Sequence, residues 1–126
     1  MDIKENLKYT KDHEWVKLEG NIAIVGVTDF AQSELGDIVY VEVDTIDETL
    51  NKDEVFGTVE AVKTVSDLFL PMSGKIIEFN ESLSDSPESI NDSPYDDGWI
   101  IKVEVSNPDE INQLLDNKDY SDLIGK

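Results

Sequence analysis

Short apolar runs broken by polar turns cover most of this chain. Trp15–Leu18 and Ile22–Val27 are the first two, and Glu19-Gly20-Asn21 between them predicts a hairpin. The period then changes. Across Thr28–Gly36, Phe30, Ala31 and Leu35 recur at helical spacing. Thr28 is placed to cap that helix, Asp29 suits its first turn, and Gly36 stops it. Asp37–Asp44 returns to a period of two. Ile38, Tyr40 and Glu42 would share one face of a strand, and Val39, Val41 and Val43 the other.

An acidic loop from Asp44 to Asp53 follows. Glu54–Val62 and Thr64–Leu70 read as strands, with Lys63 between them. Pro71 and Gly74 close that region, and Lys75–Asn80 is a further strand. Glu81–Gly98 is dense in Ser, Asp, Asn and Pro, and reads as an ordered surface loop with a turn of helix. Trp99–Val105 is the last strand. Asn107–Asp116 carries a helix start, with Asn107 as cap, Pro108 at the first position and Glu110 closing a capping box. Ile111, Leu114 and Leu115 form its apolar face. Tyr120–Gly125 reads as a last short helical turn.

Seven or eight short strands, an early helix and a helical C-terminus predict a mainly β sandwich or small barrel. Trp15, Tyr40, Phe56, Val59, Ile76, Ile100 and Val103 are the expected core, as large apolar residues in strands. The length, 126 residues, fits one domain spanning residues 1–126.

Charge narrows the functions. The formal net charge is −19, and all ten basic residues are lysine. Nucleic acid is not an expected partner, because it demands a positive surface that displaces phosphate counterions. Anionic membranes are disfavoured for the same reason. No apolar run approaches the roughly 18 residues of a membrane span, and Met1–Thr10 shows no signal-peptide core. With no cysteine, disulfides, thiolate zinc sites and cysteine nucleophiles are excluded. A cytoplasmic location is the expectation. So acidic a surface serves solubility, and it also steers the protein toward basic patches on partners.

Side-chain chemistry is sparse. His13 is the one histidine, and His13-Glu14 lacks the second histidine of a zinc-protease motif. Beside Trp15, it reads as a strand residue with a structural hydrogen bond. Asp92–Trp99 lacks the alternating ligands of a calcium loop. No glycine-rich phosphate loop is present. A carrier or binding role fits better than an enzyme.

Lys63 stands out. Two adjoining strands imply a hairpin, yet Val62, Lys63 and Thr64 are not the Asn-Gly or Asp-Gly type of turn former. β-branched residues resist positive φ, so a type I-like turn held by the surrounding sheet is expected. Such local conflict is characteristic of functional positions. An amine displayed there is either an ordinary solvated lysine or an acceptor for acylation.

Gly57–Leu83, which contains Glu60-Ala61-Val62-Lys63-Thr64, resembles the lipoyl-attachment region of the glycine cleavage H-protein family. Lys8–Val16, Val25–Val43, Asn91–Val105 and Glu110–Tyr120 resemble other parts of that family, so nearly the whole chain is covered. Two places depart from its usual pattern. Ala61 and Thr64 stand where Ser and Ala are usual, and the loop after Val43 lacks the usual Pro and Gly. Glu60-Ala61 also occurs in biotin carriers, but those flank the lysine with methionines, whereas Val62 and Thr64 flank it here.

The resemblance implies a lipoyl-domain-like barrel-sandwich hybrid, with Lys63 at a hairpin tip and the C-terminal helix outside. It implies lipoic acid in amide linkage to Lys63. Glu60, Val62, Thr64 and Asp67 around the turn would be read by a lipoate ligase or an octanoyl/lipoyl transferase. Glu14 and Asp12, with Asp67, would line a cleft for the aminomethyl-loaded arm. The implied partners are the glycine decarboxylase (P protein), the aminomethyltransferase (T protein) and dihydrolipoamide dehydrogenase (L protein), visited by a monomer. Two alternatives share the chain: a lipoyl or octanoyl relay donor to 2-oxoacid dehydrogenase subunits, and a biotin carrier or unmodified acidic binding module.

Overall fold

The two sheets that position Lys63 meet across one apolar layer. A computed structural model describes residues 2–126. Its strands are β1 (Lys8–Tyr9), β2 (Glu14–Glu19), β3 (Ile22–Val27), β4 (Ile38–Glu42), β5 (Thr49–Leu50), β6 (Val55–Ala61), β7 (Val65–Phe69), β8 (Gly74–Phe79) and β9 (Ile101–Val105). A six-stranded sheet runs β1-β2-β3-β9-β8-β5, and a three-stranded sheet runs β4-β6-β7, with antiparallel pairing throughout. One buried cluster joins them: Val25, Ile76 and Val103 from the larger sheet meet Val41, Val59 and Leu68 from the smaller.

The expected hairpin is β2–β3, with Trp15 opposite Gly26. The indole lies over that glycine: a Cβ at position 26 would come within 2.6 Å of Trp15 Nε1. Nε1 donates to Pro94 O at 2.9 Å, so the ring cannot swing away cheaply. Gly26→Ala is therefore expected to lower stability by about 1–3 kcal/mol through overpacking, read as a lower thermal midpoint at unchanged far-UV dichroism.

Helix α1 (Asp29–Leu35) forms as its signals predict. Thr28 Oγ1 accepts from Ala31 N, and Gly36 ends the helix at φ +81°. Strand β4 departs from strict alternation. Its register shifts between Ile38 and Tyr40, so Ile38 and Val41 both face the core and Tyr40 is 52% exposed. A bulge inserts one residue and exchanges the faces beyond it. The other expected core residues are buried, with Trp15 in a second cluster beside Leu7, Tyr9 and Tyr120.

Glu81–Gly98 is more structured than a surface loop. It holds two one-turn helices, α2 (Ser82–Asp85) and α3 (Ser89–Asp92), which bury Leu83 and Ile90. The first C-terminal helix is corrected too. Pro108–Gln113 is 3-10, not α, although Asn107 does cap it through Asp109 N. Glu110 does not close a box on its own helix: it accepts from Ser73 N at 2.8 Å and Ser73 Oγ at 3.2 Å, tying the segment to the turn before β8. The last element is a full helix, α4 (Asn117–Ile124), capped by Asp116 and ended by Gly125 in the left-handed region. Tyr120 of α4 stacks on Tyr9 at 4.6 Å.

Candidate functional site

The turn between β6 and β7 is short and held from outside. Ala61 N donates to Thr64 O at 2.7 Å, and Val62 N donates to Asp37 O at 3.0 Å. The described non-glycine residues at positive φ are His13, Asp47 and Asp53, so Val62, Lys63 and Thr64 avoid that region as their side chains require. Asp37 is fixed in its turn by Asn91 of α3. Asn91 Oδ1 accepts from Ile38 N at 2.9 Å, and its Nδ2 donates to Gly36 O at 2.9 Å and Gln32 Oε1 at 3.0 Å. Asn91→Ala strands these groups. An expected loss of about 1–3 kcal/mol follows from unpaired polar groups, measurable by urea denaturation.

Lys63 is exposed at the tip, with Val62 75% exposed beside it. Among the described residues, the ion pairs are Lys4–Asp2, Lys17–Glu19, Lys52–Asp53 and Lys102–Glu78, and Lys63 joins none of them. Its methylene stem lies along Gly36, where a Cβ would stand 3.4 Å from Cε. That glycine is required by its φ of +81°, and a Cβ there would make only ordinary contact with the flexible stem.

Next to Gly36 a cleft of about 300 Å³ opens between α1, the start of β2 and β7. Val27, Phe30, Leu35 and Leu68 give it apolar walls, while Asp12, Glu14, Glu34 and Asp67 supply carboxylates. Glu14 is only 2% exposed. Its Oε2 accepts from the edge amide of Phe69 at 2.8 Å, and Oε1 accepts from Thr10 Oγ1 at 3.3 Å. Burial pushes its carboxyl up to about 8, against the opposing hydrogen bond from Phe69 N and with help from nearby Asp12. Burial thus holds Glu14 as a neutral acid near neutral pH.

His13 also lines the cleft. It precedes β2 at φ 68° and is not a strand residue, because its carbonyl and amide close the loop onto Thr28 and Thr10. The expected structural hydrogen bond is present: Nδ1 lies 2.9 Å from Tyr120 Oη. Burial lowers its pKa, so it stays neutral. Tyr120 Oη also meets Thr28 Oγ1, the cap of α1, at 2.7 Å. Helix α4 thereby braces the cleft wall.

Of the residues singled out in the sequence, Asp12, Glu14 and Asp67 converge on this one cleft. Glu60, Val62 and Thr64 are exposed around the lysine. Sequence reasoning missed Phe30 and Leu35, whose helical spacing marked them as core, and Ser66, which carried no signal. Groups of three or more metal-ligating side chains are absent among the described residues. So is any helix long and apolar enough to cross a membrane.

The two sheets, the short helices and the C-terminal helix define a lipoyl-domain-like barrel-sandwich hybrid, a carrier fold. The family model described as Glycine cleavage H-protein matches residues 7–126. The crystal structure of a glycine cleavage system H protein from Mycobacterium marinum superposes with a TM-score of 0.90 at 36% identity, covering 98% of this chain and 100% of that one. The chain belongs to the glycine cleavage H-protein family, whose members are lipoyl carriers that work with the enzymes of glycine cleavage.

Proposed function

We propose that residues 1–126 act as one cytoplasmic, monomeric carrier domain with lipoic acid in amide linkage to Lys63, attached by a lipoate ligase or an octanoyl/lipoyl transferase. The observation that carries this reading is an exposed lysine, outside the ion pairs of the described residues, on a turn tied at both flanks. Glu60, Val62, Thr64 and Asp67 present that turn to the attaching enzyme. The bound group supplies the dithiolane chemistry that a cysteine-free chain lacks.

The chain's own residues do the rest. Amide formation removes the Lys63 charge and leaves the stem along Gly36, the residue after the cleft-lining Leu35. Phe30, Leu35 and Leu68 exclude water from an aminomethyl cargo, which hydrolysis would otherwise destroy. A cationic amine entering the cleft would meet Glu14, which ionises by releasing its proton and then holds the amine by charge, with Asp67 and Asp12 reinforcing the field. The carrier shuttles this cargo from glycine decarboxylase to the aminomethyltransferase and delivers electrons to dihydrolipoamide dehydrogenase. Its −19 charge speeds each encounter without deep contacts, which suits rapid release.

Intact mass after co-expression with a lipoate ligase in lipoate-fed cells tests the reading. A gain of one lipoyl amide, mapped to the peptide holding Lys63, is expected. An unmodified mass, or a biotin-sized adduct, would falsify it.

A further inference from the structure

The described chain has nine exposed large hydrophobic residues, and four of them, Val39, Tyr40, Val62 and Val65, gather at the Lys63 end of the three-stranded sheet. Pairing register makes three of the surrounding residues a continuous row. Tyr40 stands opposite Glu60, and Glu60 opposite Val65. The next row along the same outer face is Glu42, Thr58 and Asp67. Tyr40 is 52% exposed, Val65 60%, and Glu42, Glu60 and Asp67 are exposed as well. Between Glu54 and Gly74 the one basic residue is Lys63 itself. Exposed apolar side chains set on either side of a carboxylate, Tyr40 and Val65 about Glu60, make a mixed apolar and acidic face suited to a contact site. The β4 bulge creates it, because regular pleating would have buried Tyr40.

We propose that this outer face, with Tyr40 and Val65 on either side of Glu60, is the docking surface for the enzyme that acylates Lys63, and that the enzyme meets it with apolar contacts flanking a basic group. The inference rests on Lys63 being the attachment point and extends recognition from the turn to a neighbouring strand. Reach selects this occupant. An enzyme that forms a bond to Nζ must bring its active site within one lysine side chain of the turn, so it has to cover the residues beside the turn. Enzymes that act at the far end of a long arm can work without touching that face. Charge selects the chemistry: the carboxylates of Glu42, Glu60 and Asp67, against Lys63 as the one basic residue from Glu54 to Gly74, repel an acidic partner and attract a basic one.

The test uses the full-length unmodified chain, a purified lipoate ligase, lipoate and ATP. Tyr40→Ala and Val65→Lys are expected to lower kcat/KM for lipoylation by about tenfold or more, the scale of losing a central interface contact. Leu18→Lys, an exposed apolar position on the other sheet, should react like the parent. Each variant is then driven to full lipoylation with excess ligase, confirmed by mass, and assayed with dihydrolipoamide dehydrogenase. Unchanged turnover there, with unchanged melting temperatures, supports the assignment. Parent-like lipoylation of both variants overturns it, as does an equal loss in both assays, which would make the face common to all partners. Lys63→Arg runs alongside: a lipoyl mass gain on that variant would refute the attachment point itself, a separate failure.

Discussion

Lys63→Arg is expected to fold with an unchanged melting temperature and to gain no lipoyl mass, abolishing glycine cleavage in a reconstituted system. Arginine keeps the positive charge and a similar stem, so solubility and the contact along Gly36 are preserved. What it loses is the nucleophile. An ammonium can give up a proton and attack an activated acyl carbon, whereas a guanidinium stays protonated throughout the accessible pH range. Unmodified chain should therefore account for all of the protein by intact mass, whatever the ligase concentration. Since the side chain is exposed and outside the ion pairs of the described residues, no structural loss obscures this outcome. A variant that still gained the lipoyl mass would place the acceptor among the other nine lysines, ten in all less Lys63.

The second large effect is a pH dependence of stability that Glu14 controls. Its folded pKa, about 8, lies above the ordinary value of 4.5. Between those values the native state binds a proton that the unfolded chain has released. The contribution of Glu14 is thus complete below about 4.5 and is lost as pH rises toward 8. His13 acts in the opposite sense. Its pKa is lowered from 6.5 by burial, so its cost fades as pH rises to that value. Above 6.5 the His13 contribution dies away and the Glu14 slope dominates. Unfolding free energy should fall by on the order of 1–2 kcal/mol between about pH 6.5 and 8, at a limiting slope of about 1.4 kcal/mol per unit. Glu14→Gln keeps an acceptor for Phe69 N and a partner for Thr10 Oγ1, without a titrating group. Urea denaturation across that window should show a nearly flat variant beside the sloping parent. Parallel slopes would remove Glu14 as the titrating group, and with it the argument that the cleft holds a neutral acid ready to ionise around a cation.

The two features most exposed to view in the sequence are the hairpins and the caps. β2–β3 and β6–β7 follow from apolar runs and their breaks, and α1 follows from Thr28 and Gly36, because these signals act within a few residues. Errors arose where a distant partner decided the outcome. Alternation put Tyr40 inside, but a bulge against β6 turned it out. Glu110 had the spacing of a capping box, yet Ser73 offered it two donors. The Ser- and Asp-rich stretch from Glu81 looked like solvent-facing loop, yet Ile90 found a buried site and Asn91 a set of partners on α1 and β4.

By itself the sequence determined that the chain is acidic, cysteine-free and largely β, and that one lysine sits between two strands in a turn with no turn former. Local propensity and composition suffice for those statements. Only the tertiary structure decided that Asp12, Glu14 and Asp67 share a cleft beside that lysine, since they come from two segments some fifty residues apart, brought together by packing α1 and β2 against the edge of β7. It also decided that one carboxyl among 29 acidic residues is the unusual one. Water access sets the ionisation of a carboxylate, and water access is a property of the folded surface.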